Sequence, residues 1–294
     1  MKALVSIEIP EIKKSYSGKV RDIFPIDDKH MMIVSTDRIS AFDYIFPNGI
    51  AGKGIILNKI SNLWFKNIGF IKNHIVEDNF NNFPKPYSNY PEIFKDRSII
   101  VKKANRIDFE CVARGYIIGG GWNEYKEKGE ISGIKLPSGL RLAEKFPETL
   151  FTPATKEDTG HDVNVSIDIM AKKIGLKDAE YLSDMTKKIY EFGRDCLAKA
   201  GIILADTKFE FGYSGDEIIL IDEVLTPDSS RFWDSKLYQT GISPVSYDKQ
   251  FIRDYIDTTK WDKNSPPPHL PDEIINKTYE KYSEILSKIE HIFK

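Results

Sequence analysis

Charged side chains alternate with apolar ones between Leu204 and Arg231 of this 294-residue chain. Asp206, Lys208 and Glu210 stand at every second position. Because successive side chains of an extended strand point to opposite faces, these three charges would share one face. Acids and a lysine within an otherwise apolar strand indicate the chemical centre of the molecule.

A turn after this strand predicts a second carboxylate beside Glu210. A hairpin closed at Gly215-Asp216 would set Glu210 opposite Ile221 and bring Asp222 close to it. Neighbouring carboxylates repel each other unless a cation lies between them. Mg²⁺ typically takes one or two protein carboxylates and completes its shell with water and phosphate oxygens. The spacing therefore predicts a Mg²⁺ site that serves a nucleoside triphosphate, with a solvated, charged hairpin as the alternative.

The composition indicates a globular protein and excludes several classes of function. A hydrophobic fraction of 41% suffices for a packed core in one large or two ordinary domains. Forty-two basic and 44 acidic residues leave a net charge of -2, which gives no electrostatic basis for sequence-independent nucleic-acid binding. Two cysteines favour a reducing compartment, and no segment approaches the ~18 apolar residues of a membrane span. We expect a soluble cytoplasmic protein with neither nucleic acid nor membrane as a partner.

The first predicted hairpin begins with a glycine and two basic residues. Gly18, Lys19 and Arg21 precede one apolar strand, and a second follows the polar tip at residues 27–29. Glycine lets the backbone approach a ligand, and the basic side chains could reach phosphate oxygens, as phosphate-covering loops require. An ordinary strand entry with exposed basic residues is the alternative.

A polar cluster at residues 37–43 precedes an amphipathic helix. Ser40 and Asp43 belong to this cluster, which forms either a turn capped by its own side chains or one wall of a polar site. The helix is indicated by Ile56, Ile60 and other apolar residues at helical spacing.

The middle of the chain contains a predicted boundary between two lobes. A strand at 97–104 ends there, which suggests a β-rich N-terminal lobe at 1–104 and an α+β lobe at 105–294. In two-lobed nucleotide-binding enzymes the linking segment commonly offers backbone groups to adenine, and Lys103 begins that link here.

A second strand follows and ends in three glycines, Gly119 to Gly121, close to Arg114. A guanidinium beside glycine-lined backbone would receive a phosphate or carboxylate. An arginine in a surface ion pair is the alternative.

Residues 146–166 have no apolar period and predict a long, functional loop that contains His161, Asp162 and Asn164. A lone histidine is also common as a hydrogen-bonded structural residue. Helices are predicted at residues 166–174, 183–200, 246–258 and 272–293.

Seven segments together resemble one enzyme family, SAICAR synthetase of purine synthesis, and they occur in the order and spacing of that family. The length and C-terminal extension resemble its longer, single-function form. The segments are GKVRDIF, TDRISAFD, GKGIILNKIS, FECVARGYIIGGGW, FTPATKEDTGHDVN, LADTKFEFG and IDEVLTPDSSRFW.

The resemblance implies an α+β, two-lobed fold of antiparallel sheets with flanking helices, distantly similar to protein kinases. It also implies a ligase that uses ATP and Mg²⁺ to join carboxyaminoimidazole ribonucleotide (CAIR) to L-aspartate, releasing ADP and phosphate. The family is thought to transfer the γ-phosphoryl group to the substrate carboxylate, so that the amine attacks an acyl phosphate. A monomer is expected.

The resemblance implies roles for individual residues, and for the metal ligands the spacing predicts the same role. Asp206 and Lys208 are assigned to catalysis, and Glu210 and Asp222 to the metal. The ATP site is assigned Gly18, Lys19, Arg21 and Lys103, and the substrate site Ser40, Asp43, Arg114, Gly120, His161, Asp162, Asn164 and Arg231.

One departure from the family concerns the glycines after the RGY segment. Many members have Gly-Ser there, whereas this chain has Gly119 to Gly121. A hydroxyl expected near the substrate phosphate is missing, and we hypothesise that backbone amides of the glycines form an anion-binding nest instead.

Two other functions compete with the ligase. A kinase for a small molecule or inositol phosphate would share the metal hairpin but would phosphorylate a hydroxyl, so dependence of ADP release on L-aspartate separates the two. A catalytically inactive binding module is disfavoured because Lys208, Glu210 and Asp222 are all present.

Overall fold

The computed structural model describes residues 2–156, 163–247 and 249–294. Antiparallel strands and helices alternate along these ranges. The helices are α1 (Lys53–Asn67), α2 (Pro91–Phe94), α3 (Gly119–Lys128), α4 (Ile167–Ile174), α5 (Leu176–Ala198), α6 (Gln250–Asp257) and α7 (Asp272–Ile292). The strands are β1 (Tyr16–Ser17), β2 (Arg21–Pro25), β3 (His30–Ser35), β4 (Ser40–Ala41), β5 (Tyr44–Ile45), β6 (Ile75–Glu77), β7 (Ser98–Lys102), β8 (Asn105–Arg106), β9 (Phe109–Tyr116), β10 (Glu130–Ile131), β11 (Ile134–Lys135), β12 (Lys145–Phe151), β13 (Ala154–Thr155), β14 (Ile202–Ser214), β15 (Glu217–Ile221) and β16 (Ser230–Asp234).

The first sheet is built from the N-terminal strands in the order β1-β2-β3-β7-β6. Strands β2 and β3 form the expected hairpin, with Arg21 opposite Ser35. This register places the basic residues of the GKVRD segment at the open end of the hairpin. The turn between the strands, at residues 26–29, lies at the opposite end.

The second sheet is organised around β14, which pairs with β9, β15, β16 and β8. Ser214 pairs with Glu217 across Gly215-Asp216, and Glu210 lies opposite Ile221. The predicted hairpin and its register are confirmed. Asp222 therefore leaves β15 beside the strand that carries Glu210.

Helix α1 packs into the largest hydrophobic core of the described residues. The helix belongs to the predicted N-terminal lobe, whereas most of this core lies after residue 104. It begins after Gly52, whose φ of 84° favours glycine. Ile56, Ile60 and Trp64 recur four residues apart, so they share one buried face. That face belongs to the core formed with β9, β14, α5 and α7. The α+β architecture with antiparallel sheets is confirmed, whereas the boundary at residue 104 and the kinase likeness stay predictions.

Two predicted helices begin elsewhere than expected. Helix α5 starts at Leu176 rather than at residue 183, because Gly175, with φ of 90°, alone separates it from α4. The buried Ser183 is inside this helix and does not cap it. The helix expected from Ser246 begins at Gln250, since Ser246 forms a β-bridge with Trp233. The caps at Ser166 and the span of α7 agree with the sequence.

The region from 146 to 166 is more regular than predicted. Strands β12 and β13 both pair with β9, so part of the expected loop belongs to the second sheet. Pairing with β9 satisfies backbone hydrogen bonds of this region. The sequence did not reveal the strands, because the prolines interrupt any apolar periodicity. No helix among the described residues is long and apolar enough to cross a membrane.

Candidate active site

Asp206 lies at the meeting point of three strands and anchors two arginines. In register it is opposite Arg114 of β9 and Arg231 of β16. One carboxylate oxygen, Oδ2, accepts from Arg114 Nη1 at 3.0 Å and from Arg231 Nη1 at 2.6 Å. Arg114 also donates from Nε to Thr152 Oγ1 at 2.9 Å. Burial lowers the pKa of Arg114, and Asp206 opposes that shift. Asp206 therefore fixes the direction of both guanidinium groups.

Lys208 and Lys156 meet the buried carboxylate of Glu110. Lys208 Nζ lies 2.5 Å from Glu110 Oε1, and Lys156 Nζ lies 3.6 Å from the same oxygen. Lys156 also forms an ion pair with Glu210. Glu110 and Lys156 were not predicted from the sequence. Together they connect Lys208, the predicted catalytic lysine, with Glu210, a predicted metal ligand.

Asp222 lies just after β15, in the left-handed region with φ of 67°. Its Oδ2 accepts from Arg21 Nη2 at 2.6 Å, and Glu223 lies 3.6 Å from the same guanidinium nitrogen. Burial raises the pKa of Asp222, Arg21 opposes that shift, and the nearby Glu210 raises the pKa further. The two carboxylates predicted to hold a metal therefore interact, as the hairpin register requires.

The residues around Asp222 fit a hard divalent cation. The donors are carboxylate oxygens of Glu210 and Asp222, and Mg²⁺ prefers oxygen ligands. The charge of Glu210 disfavours ionisation of Asp222, and the positive charges of Arg21 and Lys156 favour it. Among the described residues no group of three or more His, Cys, Asp or Glu side chains could hold a metal. Mg²⁺ with only one or two protein carboxylates and substrate phosphates matches this donor set.

A polar cavity of about 320 Å³ opens beside this charge network. It brings together Lys19, Ser40, Asp43, Asp206, Lys208 and Arg231, all assigned from the sequence. Lys19 Nζ lies 2.5 Å from Asp43 Oδ1 and links the GKVRD segment to the turn between β4 and β5. The remaining lining residues are Ala41, Phe42, Pro227, Asp228, Ser229, Ser230, Lys249 and Arg253.

An unpredicted ion cluster closes one side of the cavity. The side chains of Lys53 and Asp228 are 0% and 2% exposed and lie 2.8 Å apart. Lys249 Nζ lies 3.0 Å from Asp228, and Tyr282 Oη donates to its other oxygen at 2.9 Å. Burial would raise the pKa of Asp228, but Lys249 and Lys53 hold it well below its usual range. Burial lowers the pKa of Lys249 to about 8.

The other predicted residues lie outside the cavity lining. Gly18 donates its backbone N–H to Arg21 O at 2.8 Å, which closes the turn before β2. Lys103 Nζ donates to Asp27 O at 2.8 Å. Asn164 Nδ2 donates to Glu124 Oε2 at 2.7 Å. His161 and Asp162 lie outside the described residues.

The three glycines open helix α3 rather than end a strand, because β9 stops at Tyr116. Of the three, only Gly119 has positive φ, at 57°. A Cβ there would lie 2.4 Å from Arg231 Nη2, whereas a Cβ on Gly120 would meet no atom within 4 Å. The positive φ that glycine permits is therefore used at Gly119 and not at Gly120 or Gly121, and the anion-binding nest stays a prediction. Backbone N–H groups at a helix N-terminus beside two arginines can still receive an anion.

The sequence contained signals for several site residues that were not predicted. Lys53 and Asp228 stand within the GKGIILNKIS and TPDSSR segments that support the family resemblance. Lys249 and Arg253 are four residues apart at the start of α6, a spacing that puts them on one helix face. Glu110 and Lys156 also stand within two of these segments, FECVARGYIIGGGW and FTPATKEDTGHDVN. Their contact, however, depends on the pairing of β13 with β9, which spacing along the chain does not predict.

Comparison with known proteins gives a consistent result. The family model described as SAICAR synthetase matches residues 14–268. A Leptospira interrogans protein named phosphoribosylaminoimidazole-succinocarboxamide synthase is 50% identical over 271 residues, which are 92% of this chain and 94% of the relative. A SAICAR synthase from Saccharomyces cerevisiae, solved with SAICAR, is 38% identical with a TM-score of 0.88 and 98% of both chains covered. A SAICAR synthetase solved with ADP is 27% identical, has a TM-score of 0.66, and is matched over 97% of its length by 95% of this chain. The chain therefore belongs to the SAICAR synthetase family, ligases that form a carbon–nitrogen bond in purine biosynthesis.

Proposed function

We propose that this ligase uses ATP and Mg²⁺ to join CAIR to L-aspartate, producing SAICAR, ADP and phosphate. The observation that carries the proposal is the contrast between two adjacent regions. Interacting carboxylates suited to a metal surround Asp222, and basic side chains suited to anions line the neighbouring cavity. A reaction between a metal-bound triphosphate and two anionic substrates requires both environments side by side.

ATP and Mg²⁺ are assigned to the region of Glu210 and Asp222. These two carboxylates would hold the ion, which supplies charge compensation for the triphosphate when it is bound. Lys19 and Arg21 would face the phosphates, since both lie at the end of the β2–β3 hairpin next to Asp222. Adenine contact near Lys103 remains part of this proposal. A relative solved with ADP supports a nucleotide co-substrate.

CAIR is assigned to the cavity. Arg231 lines it, and Arg114 lies behind Asp206 and holds the same carboxylate oxygen. The N–H groups at the start of α3, near Gly120, would add donors for the ribonucleotide phosphate. Ser40, Asp43, Asn164, His161 and Asp162 complete the proposed binding set. A relative solved with SAICAR supports a ribonucleotide product of this kind.

The proposed chemistry proceeds through an acyl phosphate. The amine of aspartate cannot displace oxide from a carboxylate, so the CAIR carboxylate first takes the γ-phosphoryl group of ATP and releases ADP. The amine then attacks the acyl carbon, the C–N bond forms, and phosphate leaves with the C–O electron pair. Lys208 would stabilise negative charge on the transferred group, while Asp206 holds the two arginines in place.

The test measures ADP release with CAIR, L-aspartate and Mg²⁺ each omitted in turn, together with mass spectrometry of the product. We expect SAICAR and ADP in equal amounts and only in the complete mixture. The Asp222→Asn variant supplies the background rate of ATP hydrolysis. ADP release that needs a hydroxyl-bearing acceptor instead of L-aspartate would favour the kinase alternative and contradict the proposal.

A monomer and a cytoplasmic location also remain proposals. Light scattering on a gel-filtration column tests the first, because a monomer has the mass of a single chain at all concentrations.

A further inference from the structure

The segment that follows α6 packs one aromatic side chain against the wall of the cavity. Trp261 makes edge-to-face contacts with Phe42, Tyr44 and Phe46, at ring-centroid distances of 6.3, 5.3 and 5.9 Å. These three rings belong to or follow the β4–β5 hairpin, which carries Ser40 and Asp43. Because edge-to-face pairs of this kind stabilise beyond their buried area, Trp261 restrains the hairpin.

The hairpin needs such a restraint because its turn is strained. Phe42 and Asp43 both have positive φ, at 51° and 65°. Left-handed backbone costs free energy for residues other than glycine and persists only where the surroundings impose it. The rings of Phe42, Tyr44 and Phe46, through their contacts with Trp261, can hold the turn in this conformation. Lys263, whose Nζ lies 4.1 Å from the centroid of the Phe42 ring, adds a cation–π contact on the same turn.

The far end of the same segment is attached to the other side of the hairpin. Asn48 Nδ2 donates to Leu270 O at 2.8 Å, and Leu270 N donates back to Asn48 Oδ1 at 2.9 Å. Leu270 is buried with Ile39 and Phe46 in one small hydrophobic core. Trp261 is itself fixed, because its Nε1 donates to Ser265 O at 2.9 Å. Residues 261–270 therefore form a strap across the hairpin.

We propose that Trp261 is a positioning residue for the substrate cavity, acting through the strained turn at Phe42 and Asp43. Its ring contacts are with Phe42, Tyr44 and Phe46, in and beside this turn. Its effect reaches substrate through Ser40 and Asp43, which line the cavity. The identity of the affected substrates, CAIR and L-aspartate, rests on the proposed function.

The test compares Trp261→Ala, Trp261→Phe and Asn48→Ala. Trp261→Ala removes the ring that touches the turn, and Trp261→Phe retains an aromatic ring at that place. Asn48→Ala releases the strap at its other end and serves where Trp261→Ala folds poorly. Phe70→Ala is the control, since Phe70, like Trp261, is a partly buried ring with an edge-to-face partner, and it does not line the cavity.

Two measurements are made on each full-length variant. Hydrogen exchange should show faster exchange of amides 39–46 in Trp261→Ala, with the β2–β3 hairpin unchanged. Steady-state kinetics should show KM for CAIR or L-aspartate raised about threefold or more, with KM for ATP changed less than about twofold. Trp261→Phe should restore both values, and Asn48→Ala should show the same pattern with a smaller change.

The outcomes separate this proposal from the proposed function. Unchanged exchange of amides 39–46 in Trp261→Ala would overturn the positioning role, and so would a KM pattern shared with Phe70→Ala. If the wild-type protein forms no SAICAR, the proposed function fails. In that case the exchange measurement still decides whether Trp261 holds the hairpin, because it requires no substrate.

Discussion

Two adjacent regions of the site differ in how their charges are balanced. Around Asp222, burial raises the pKa of the carboxyl group and the charge of Glu210 raises it further, although Arg21 pairs with Asp222 and Lys156 with Glu210. The cavity is lined by five basic side chains and three carboxylates among the described residues. The first group comprises Glu110, Glu210, Asp222 and Glu223, and the second comprises Lys19, Lys208, Arg231, Lys249 and Arg253 with Asp43, Asp206 and Asp228.

The two kinds of charge balance explain how one enzyme can hold a cation and several anions within a short distance. Carboxylates in excess attract a metal ion, and basic groups in excess attract phosphate and carboxylate. Lys208 stands between the regions, since it lines the cavity and contacts Glu110. A substitution should therefore affect one class of ligand according to the region in which it lies.

The largest effect is expected from Asp222→Asn. The amide keeps the shape of the side chain and removes the charge that a metal–triphosphate complex needs. We expect kcat to fall more than about tenfold, which corresponds to more than ~1.4 kcal/mol of transition-state stabilisation. The melting temperature should change little, because burial already disfavours the charged form of Asp222. Glu217→Gln, an exposed carboxylate on β15 that pairs with Lys72, is the control. A variant that keeps more than a tenth of the rate at saturating Mg²⁺ would show that Asp222 is not a metal ligand.

Arg114→Lys should damage the cavity and leave the metal region intact. A lysine cannot reach Asp206 and Thr152 at once, as the planar guanidinium does. We expect KM for CAIR to rise by about tenfold, the cost of roughly one charge-assisted hydrogen bond. Arg106→Lys is the control, since Arg106 is exposed and forms an ion pair with the exposed Asp108. A raised KM for ATP alone would show that Arg114 acts on ATP binding, which contradicts the assignment of Arg114 to the CAIR cavity.

We expect Lys249 to make substrate binding in the cavity depend on pH. Its pKa of about 8 lies below that of a free lysine, mainly because it is buried. As pH rises through 8, Lys249 loses its charge, and KM for CAIR or L-aspartate should rise by at most about tenfold per pH unit. The unfolded chain holds this proton more tightly, so unfolding free energy should rise with pH from about 8 to 10.

The conservative variant Lys249→Arg tests this origin of the pH dependence. A guanidinium stays protonated throughout this range, so KM should no longer rise above pH 8. Titration of substrate groups is common to both proteins and cancels in the comparison. An unchanged alkaline limb in Lys249→Arg would assign the titration to another group.

The smallest effect distinguishes two neighbouring glycines. Gly119→Ala places a Cβ 2.4 Å from the Arg231 guanidinium at a position with positive φ. We expect a loss of about 1 kcal/mol in unfolding free energy and a raised KM for CAIR, because Arg231 must move. Gly120→Ala meets no atom within 4 Å and should leave both values unchanged. Equal behaviour of the two variants would show that Arg231 does not contact the substrate.

The sequence predicted the site where local rules decide the geometry and failed where distant strands meet. Period-two alternation and a two-residue turn were enough to place Glu210 opposite Ile221. The junction of α4 and α5 was missed, because a single glycine with φ of 90° interrupts otherwise continuous helix. Glu110 and Lys156 were missed because their contact depends on β13, a strand of two residues in a segment without apolar period. The C-terminal strap was missed for a similar reason, since no local pattern joins Trp261 to residues 42–46.

The central claim is that metal–nucleotide and anionic substrate bind in separate, oppositely charged regions. Isothermal titration of Mg²⁺–ATP and of CAIR into Asp222→Asn and Lys249→Gln tests it most directly. We expect Asp222→Asn to bind Mg²⁺–ATP more weakly and CAIR as before, and Lys249→Gln to bind CAIR more weakly and Mg²⁺–ATP as before. If each variant weakened the binding of both ligands to the same extent, the two regions would act as one site, which contradicts their separation.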